Sequence, residues 1–132
     1  MLDDSMLVAN VACGSIIRAT YELLGGINMA VKLAFLGRVP DADPEKHRCV
    51  IETPIYQLYV VMVENQRQAI EVCKTLANKE GVDQITLCPA FTHRDVGEIA
   101  DVVGENIAIA VARRDSPSNR ILTEAKKREG LV

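Results

Sequence analysis

The feature that most limits what this chain can become lies between Leu58 and Ala112, where three apolar, strand-like runs are separated by two amphipathic, helix-like stretches. That alternation reads as β-α-β-α-β, the signature of a parallel sheet. The run Leu58-Tyr59-Val60-Val61-Met62-Val63 is continuously apolar, too much so for a sheet with one wet face. An earlier apolar run ending at Leu36 and closed by Gly37 supplies one more strand. The expected strands are residues 32–36, 57–63, 84–88 and 107–112.

The helices between them are marked by caps and by spacing. Asn65 caps a stretch in which Ala69, Ile70, Val72, Cys73, Leu76 and Ala77 recur every three or four residues, and Gly81 stops it. Thr92 caps the next, with Asp95 placed close to a capping-box position and Val96, Ile99, Ala100 and Val103 as its buried stripe. Ser116-Pro117 opens a last helix carrying Ile121, Leu122 and Ala125 towards Gly130. Between the first two strands, Asp43-Pro44-Glu45 is a strong helix start, so residues 44–52 are expected as a helix ended by Thr53-Pro54. A hairpin strand over residues 48–52 is the alternative.

These elements predict an α/β fold: a small doubly wound, mainly parallel four-stranded sheet with helices on both faces, like half of a flavodoxin-like domain. A strand order of 2-1-3-4 puts the topological switch point between the first and third strands, where open α/β sheets bind ligands at their C-terminal rim. The rim loops are then residues 37–43, 64–66, 89–93 and 113–117.

Length and composition bound the rest. A chain of 132 residues is one domain, and with 48% apolar but only 4% aromatic residues and no Trp its core must be aliphatic. A net charge of −3 without a basic cluster argues against nucleic acid, because phosphate neutralisation needs several cations on one face. Cys13, Cys49, Cys73 and Cys88 show no metal-like or C-x-x-C spacing, which fits reduced cytoplasmic thiols.

Residues 1–28 stand apart from the domain at 29–132. They read either as a helix from Asp3-Asp4-Ser5 to Gly25-Gly26 or as an upstream extension, since Gly-Gly codons can hold a ribosome-binding sequence just before Met29. The apolar stretch is too short and mixed to span a membrane, and its only preceding charges are acidic, unlike a secretory signal.

Only two histidines exist, His47 and His93, and each falls in the first turn of an expected helix that starts at the rim. A helix N-terminus favours a neutral imidazole, able to accept a proton. Both are candidate catalytic groups. Two histidines without a third ligand are weak support for zinc, and no metal or cofactor is expected. The free N–H groups of the helix after Thr92, with the Thr92 hydroxyl and Arg94 nearby, are one candidate anion seat, and another lies near Ser116 to Asn119 with Arg113 and Arg114 beside it. Cys88 and Phe91 stand in the same loop as His93. Each of these residues has a plainer role as cap, lid or packing. No P-loop or G-x-G-x-x-G is present, so a small carboxylate or phosphate is a better expectation than a nucleotide.

Through DPEKHR, VIET and ITLCPAFTH the chain resembles a family of short prokaryotic α/β proteins of unknown function, over Lys32 to about Arg113. The matching positions are Asp43, Pro44, His47, Arg48, Glu52, Thr53, Cys88, Phe91 and His93. The resemblance implies no activity, yet it groups His47, Arg48, Cys88 and His93. A looser likeness to corrinoid-binding domains lacks their Asp-x-His-x-x-Gly after the first strand, and layout alone is a poor warrant.

The expected function is a cytoplasmic protein that binds a small anionic metabolite at the rim, with isomerase or lyase chemistry through His93 or His47 and Arg48 or Arg113 holding the anion. The residues do not decide whether it is an enzyme. The alternative is a non-catalytic oligomeric interaction or regulatory module. A homo-oligomer, a dimer in the simplest case, is expected because Val60 to Val63 is apolar enough to be covered by another subunit; nucleic acid and membrane are not expected partners.

Overall fold

A computed structural model describes residues 30–132, so both readings of residues 1–28 lie outside the described residues. Strands β1 (Val31–Arg38), β2 (Arg48–Glu52), β3 (Tyr56–Val63), β4 (Gln84–Leu87) and β5 (Ala108–Val111) form one sheet in the order β2-β3-β1-β4-β5. The β3-β1-β4-β5 portion is parallel throughout. It has the four expected strands, in the order that puts the switch point between the first and third of them.

The fifth strand corrects the expected four-stranded, doubly wound sheet. Residues 48–52 are not helix but an antiparallel edge strand, with Arg48 opposite Val61 and Glu52 opposite Gln57. The helix start at Asp43 is nevertheless real for one turn: its Oδ1 accepts from Glu45 N at 2.9 Å and its carbonyl accepts from His47 N at 2.7 Å. Beyond that turn the β-branched Val50-Ile51 meets the open edge of β3, whose row of backbone groups outweighs a short helix. Thr53 and Tyr56 close the hairpin, Thr53 N–H to the Tyr56 carbonyl at 2.8 Å and Tyr56 N–H to the Thr53 hydroxyl at 3.0 Å. β3 is thereby an internal strand, and its edge is taken by β2 rather than left for another subunit.

Helix α1 (Gln66–Thr75), extended by a π-helical turn (Leu76–Glu80), joins β3 to β4, and α2 (His93–Val103) joins β4 to β5. Asn65 caps α1 by accepting from Gln68 N, and Gly81 ends the turn at φ 65°, a backbone state that favours glycine. Both crossovers travel in the same direction across the sheet, so right-handed connections put both helices on one face. There Ala34, Leu36, Tyr59, Val61, Val63, Ile85 and Leu87 pack against Ala69, Cys73, Leu76 and Ile99. The β1-to-β3 connection carries a strand in place of the helix expected to cover the other side, which α3 borders only at its rim. The last helix, α3 (Asn119–Arg128), buries no residue fully. No helix among the described residues is long and apolar enough to cross a membrane.

Candidate functional site

The switch point lies between β1 and β4, and the chain builds it from the end of β1 and the loop after β4. Cys88 extends the ladder by donating its N–H to the Leu36 carbonyl at 3.0 Å. Its half-buried sulfur accepts the Arg38 N–H at 3.3 Å. Pro89-Ala90 then turn the chain, with Phe91 N–H donating to the Cys88 carbonyl at 3.3 Å, and Phe91 is buried. Thr92 starts α2 through a complete capping box: its hydroxyl accepts from Asp95 N, and the Asp95 carboxylate accepts from Thr92 N.

That carboxylate also receives Arg38. Arg38 Nη1 lies 3.1 Å from Asp95 Oδ2, and its guanidinium carbon sits 5.8 Å from the centre of the Phe91 ring. The hydrogen bond from the Thr92 backbone, with the Thr92 side chain and the Arg38 charge adding to it, holds the Asp95 carboxyl below its ordinary range despite opposing burial. Gln66 ties α1 to the same corner by donating to the Asp95 carbonyl at 3.0 Å and to Glu98 at 3.2 Å. The loop is thus held from β1, α1 and α2 at once.

Around this corner lie three hollows. The largest, about 550 Å³, has Phe35, Gly37, Met62 and Cys88 as an apolar floor, Arg38 and Asp41 at its rim, and Arg114, Leu122 and Lys126 on its far wall. A second, about 480 Å³, is lined by Phe91 and His93 and shares Pro89 and Arg114 with the first. Thr92 lines a third, about 540 Å³, with Arg38 and Asp95. Arg114 and Lys126 form no ion pair among the described residues. They are the cations left available to a ligand.

The expected residues are only partly gathered. Cys88, Phe91, Thr92 and His93 meet at this corner. His47 does not: it stands before β2, three strand positions away at about 4.8 Å per step. Its Nδ1 accepts the Asp43 N–H at 2.9 Å and its carbonyl accepts from Met62 N, so it closes the turn into the hairpin. Arg48 lines a separate 190 Å³ hollow against α1 together with Glu45, Glu71 and Glu80, surroundings that repel an anion. Arg113 pairs with Asp115 at 3.2 Å, and the groove-facing position belongs to Arg114. Ser116 sits in a 3-10 turn and makes no side-chain cap. Among the described residues no three His, Cys, Asp or Glu side chains gather as a metal group would require.

Sequence reasoning missed Arg38, Asp95 as its partner, and Lys126, and it favoured Arg113 over its neighbour Arg114. Arg38 carried a usable signal, since a cation directly after an apolar strand at a switch point faces the crevice. Lys126 carried none.

Residues 31–127 match the Family of unknown function (DUF6506). The chain belongs to this family. The matched stretch contains every strand of the sheet, the corner at Cys88 to Asp95 and nearly all of α3. A search of curated proteins and a search of solved structures each found no match.

Proposed function

We propose that this DUF6506 protein binds a small anionic metabolite in the 550 Å³ groove at the switch point. One observation carries the reading: Arg114 and Lys126, both without an ion-pair partner among the described residues, flank an apolar floor of Phe35, Met62 and Cys88. An apolar body with an anionic end suits such a groove, because the carboxylate or phosphate finds charge-assisted hydrogen bonds while the rest leaves water. Arg38 serves a different purpose. Its charge is met by Asp95, so it shapes the rim rather than supplying the main counter-charge.

If the bound anion is turned over, proton transfer is the chemistry at hand, in an isomerase or lyase step with His93 as the acid–base group reached through the hollow that shares Pro89 and Arg114. His47 takes no part in this reading. Calorimetric titration with a panel of small carboxylates and phosphates is the test. Arg114→Ala should weaken the best ligand by about 1 to 3 kcal/mol without moving the melting temperature of the free protein, while Arg113→Ala leaves binding unchanged. No binding across the panel, or equal losses in both variants, rejects the groove. Turnover that disappears in His93→Ala while binding persists marks an enzyme; binding without turnover marks a binder.

A further inference from the structure

We infer that the anion taken by this groove carries a flat aromatic ring, and that Gly37 and Met62 together set how large that ring can be. The inference rests on the anion reading above and deepens it. Gly37 pairs with Met62 of β3 in the parallel ladder, and Cys88, one residue beyond the β4 partner of Leu36, stands level with Gly37 on its other side. All three line the groove. Pleating turns a row of paired residues to the same face of a sheet, so Met62, Gly37 and Cys88 make one row across the floor, with Phe35 on the same side of β1.

Gly37 is buried, while Leu33 and Phe35, which share its face of β1, are only half-buried. Met62 is the reason. A Cβ at position 37 would come within 2.6 Å of the Met62 sulfur and 3.1 Å of its terminal methyl, and nothing else lies nearer than the Phe35 ring at 4.0 Å. The thioether therefore lies across Gly37, in the space a side chain would take. The backbone does not ask for glycine there, because position 37 is ordinary strand without the positive φ of Gly81, Gly104 and Gly130. Room for Met62 is what the glycine supplies. A side chain at 37 would lift the flexible end of Met62 off the floor, and the space above that floor is the groove.

The floor is soft as well as flat. Met62 brings its sulfur over Gly37, and Cys88 brings another beside it, held in place by the Arg38 N–H at 3.3 Å. Together with the Phe35 ring these are polarisable groups, which attract an aromatic ring more strongly than a bare alkyl chain. A ring resting on this row leaves a carboxylate at its edge to Arg114 and Lys126 on the far wall.

Calorimetric titration with benzoate, naphthoate and the alkanoates of equal carbon number, heptanoate and undecanoate, tests both parts. The parent protein should bind each aromatic acid more tightly than its alkanoate. Gly37→Ala should weaken naphthoate about tenfold and benzoate much less, since a raised Met62 takes depth that only the larger ring needs. Met62→Ala, which deepens the floor without touching β1, should shift the ratio of affinities towards naphthoate. In the double variant Gly37→Ala/Met62→Ala the added methyl no longer meets a thioether, so the ratio should match that of Met62→Ala alone. Alkanoates that bind as tightly as the aromatic acids overturn the ring class, and an unchanged ratio in either folded single variant overturns the role of the pair. If none of the four acids binds while another small anion does, the inference fails and the groove stands. If no small carboxylate or phosphate binds at all, the groove reading fails and this inference with it.

Discussion

Along β3, Tyr59, Val61 and Val63 are nearly or fully buried, while Leu58, Val60 and Met62, their immediate neighbours and just as apolar, are only half-buried. The same contrast crosses to β1, where Ala34 and Leu36 lie under the helices and Leu33 and Phe35 lie on the other side. Residue type does not explain it. What differs is the direction of the crossovers: β3 to β4 and β4 to β5 both travel one way, so their helices stack on one face, and the one connection running the other way holds a hairpin strand. A continuously apolar strand therefore announces that both faces need cover without saying what covers each.

The sharpest way to break this comparison is through the thiols. Burial of Cys73 on the inner side of α1 pushes its thiol up to about 12 from 9.0, which lowers its thiolate population about a thousandfold near neutral pH. In the native protein Cys73 should resist alkylation, while the half-buried Cys49 on the other face reacts faster. Because the folded value is raised, the stability that goes with the protonated thiol is complete below about pH 9 and is lost as pH climbs towards 12. Rapid native labelling of Cys73 would contradict the covered face.

A smaller effect comes from paired truncations on β1. Leu36→Ala, on the covered face, should cost about 2 to 5 kcal/mol in urea unfolding, whereas Leu33→Ala, at a half-buried position, should cost clearly less. Equal costs would erase the distinction between the faces.

The smallest effect concerns the cap that starts the covering helix α2. Asp95→Asn weakens the capping box and removes the Arg38 pair, at a cost of about 1 to 2 kcal/mol. Since the folded carboxyl titrates below its ordinary 3.8, its contribution is present above that value and lost as pH falls through the lowered one. Stability measured on the acid side should therefore slope less steeply in the variant than in the parent protein. An unchanged slope would mean that Asp95 does not hold this corner.

The candidate site was legible where chemistry is local in sequence. The loop Cys88-Pro89-Ala90-Phe91-Thr92-His93 announces itself as strand end, turn and cap within six residues, and the structure keeps it together. Its partners were not legible, because Arg114 and Lys126 reach the groove only through the path taken by the chain after β5. Choosing Arg113 over Arg114 shows how little separates them before an ion pair with Asp115 takes one of the two.

By itself the sequence determined the parallel strands, the caps at Asn65 and Thr92, and the stop at Gly81, because each rests on periodicity or on a side chain bonding its own neighbouring backbone. Only the tertiary structure decided that residues 48–52 leave their helix start to pair with β3, since the open backbone edge that captures them belongs to a strand formed later in the chain. It also decided that one apolar face receives both helices and the other neither, because crossover direction is a property of strand order and no single segment encodes it.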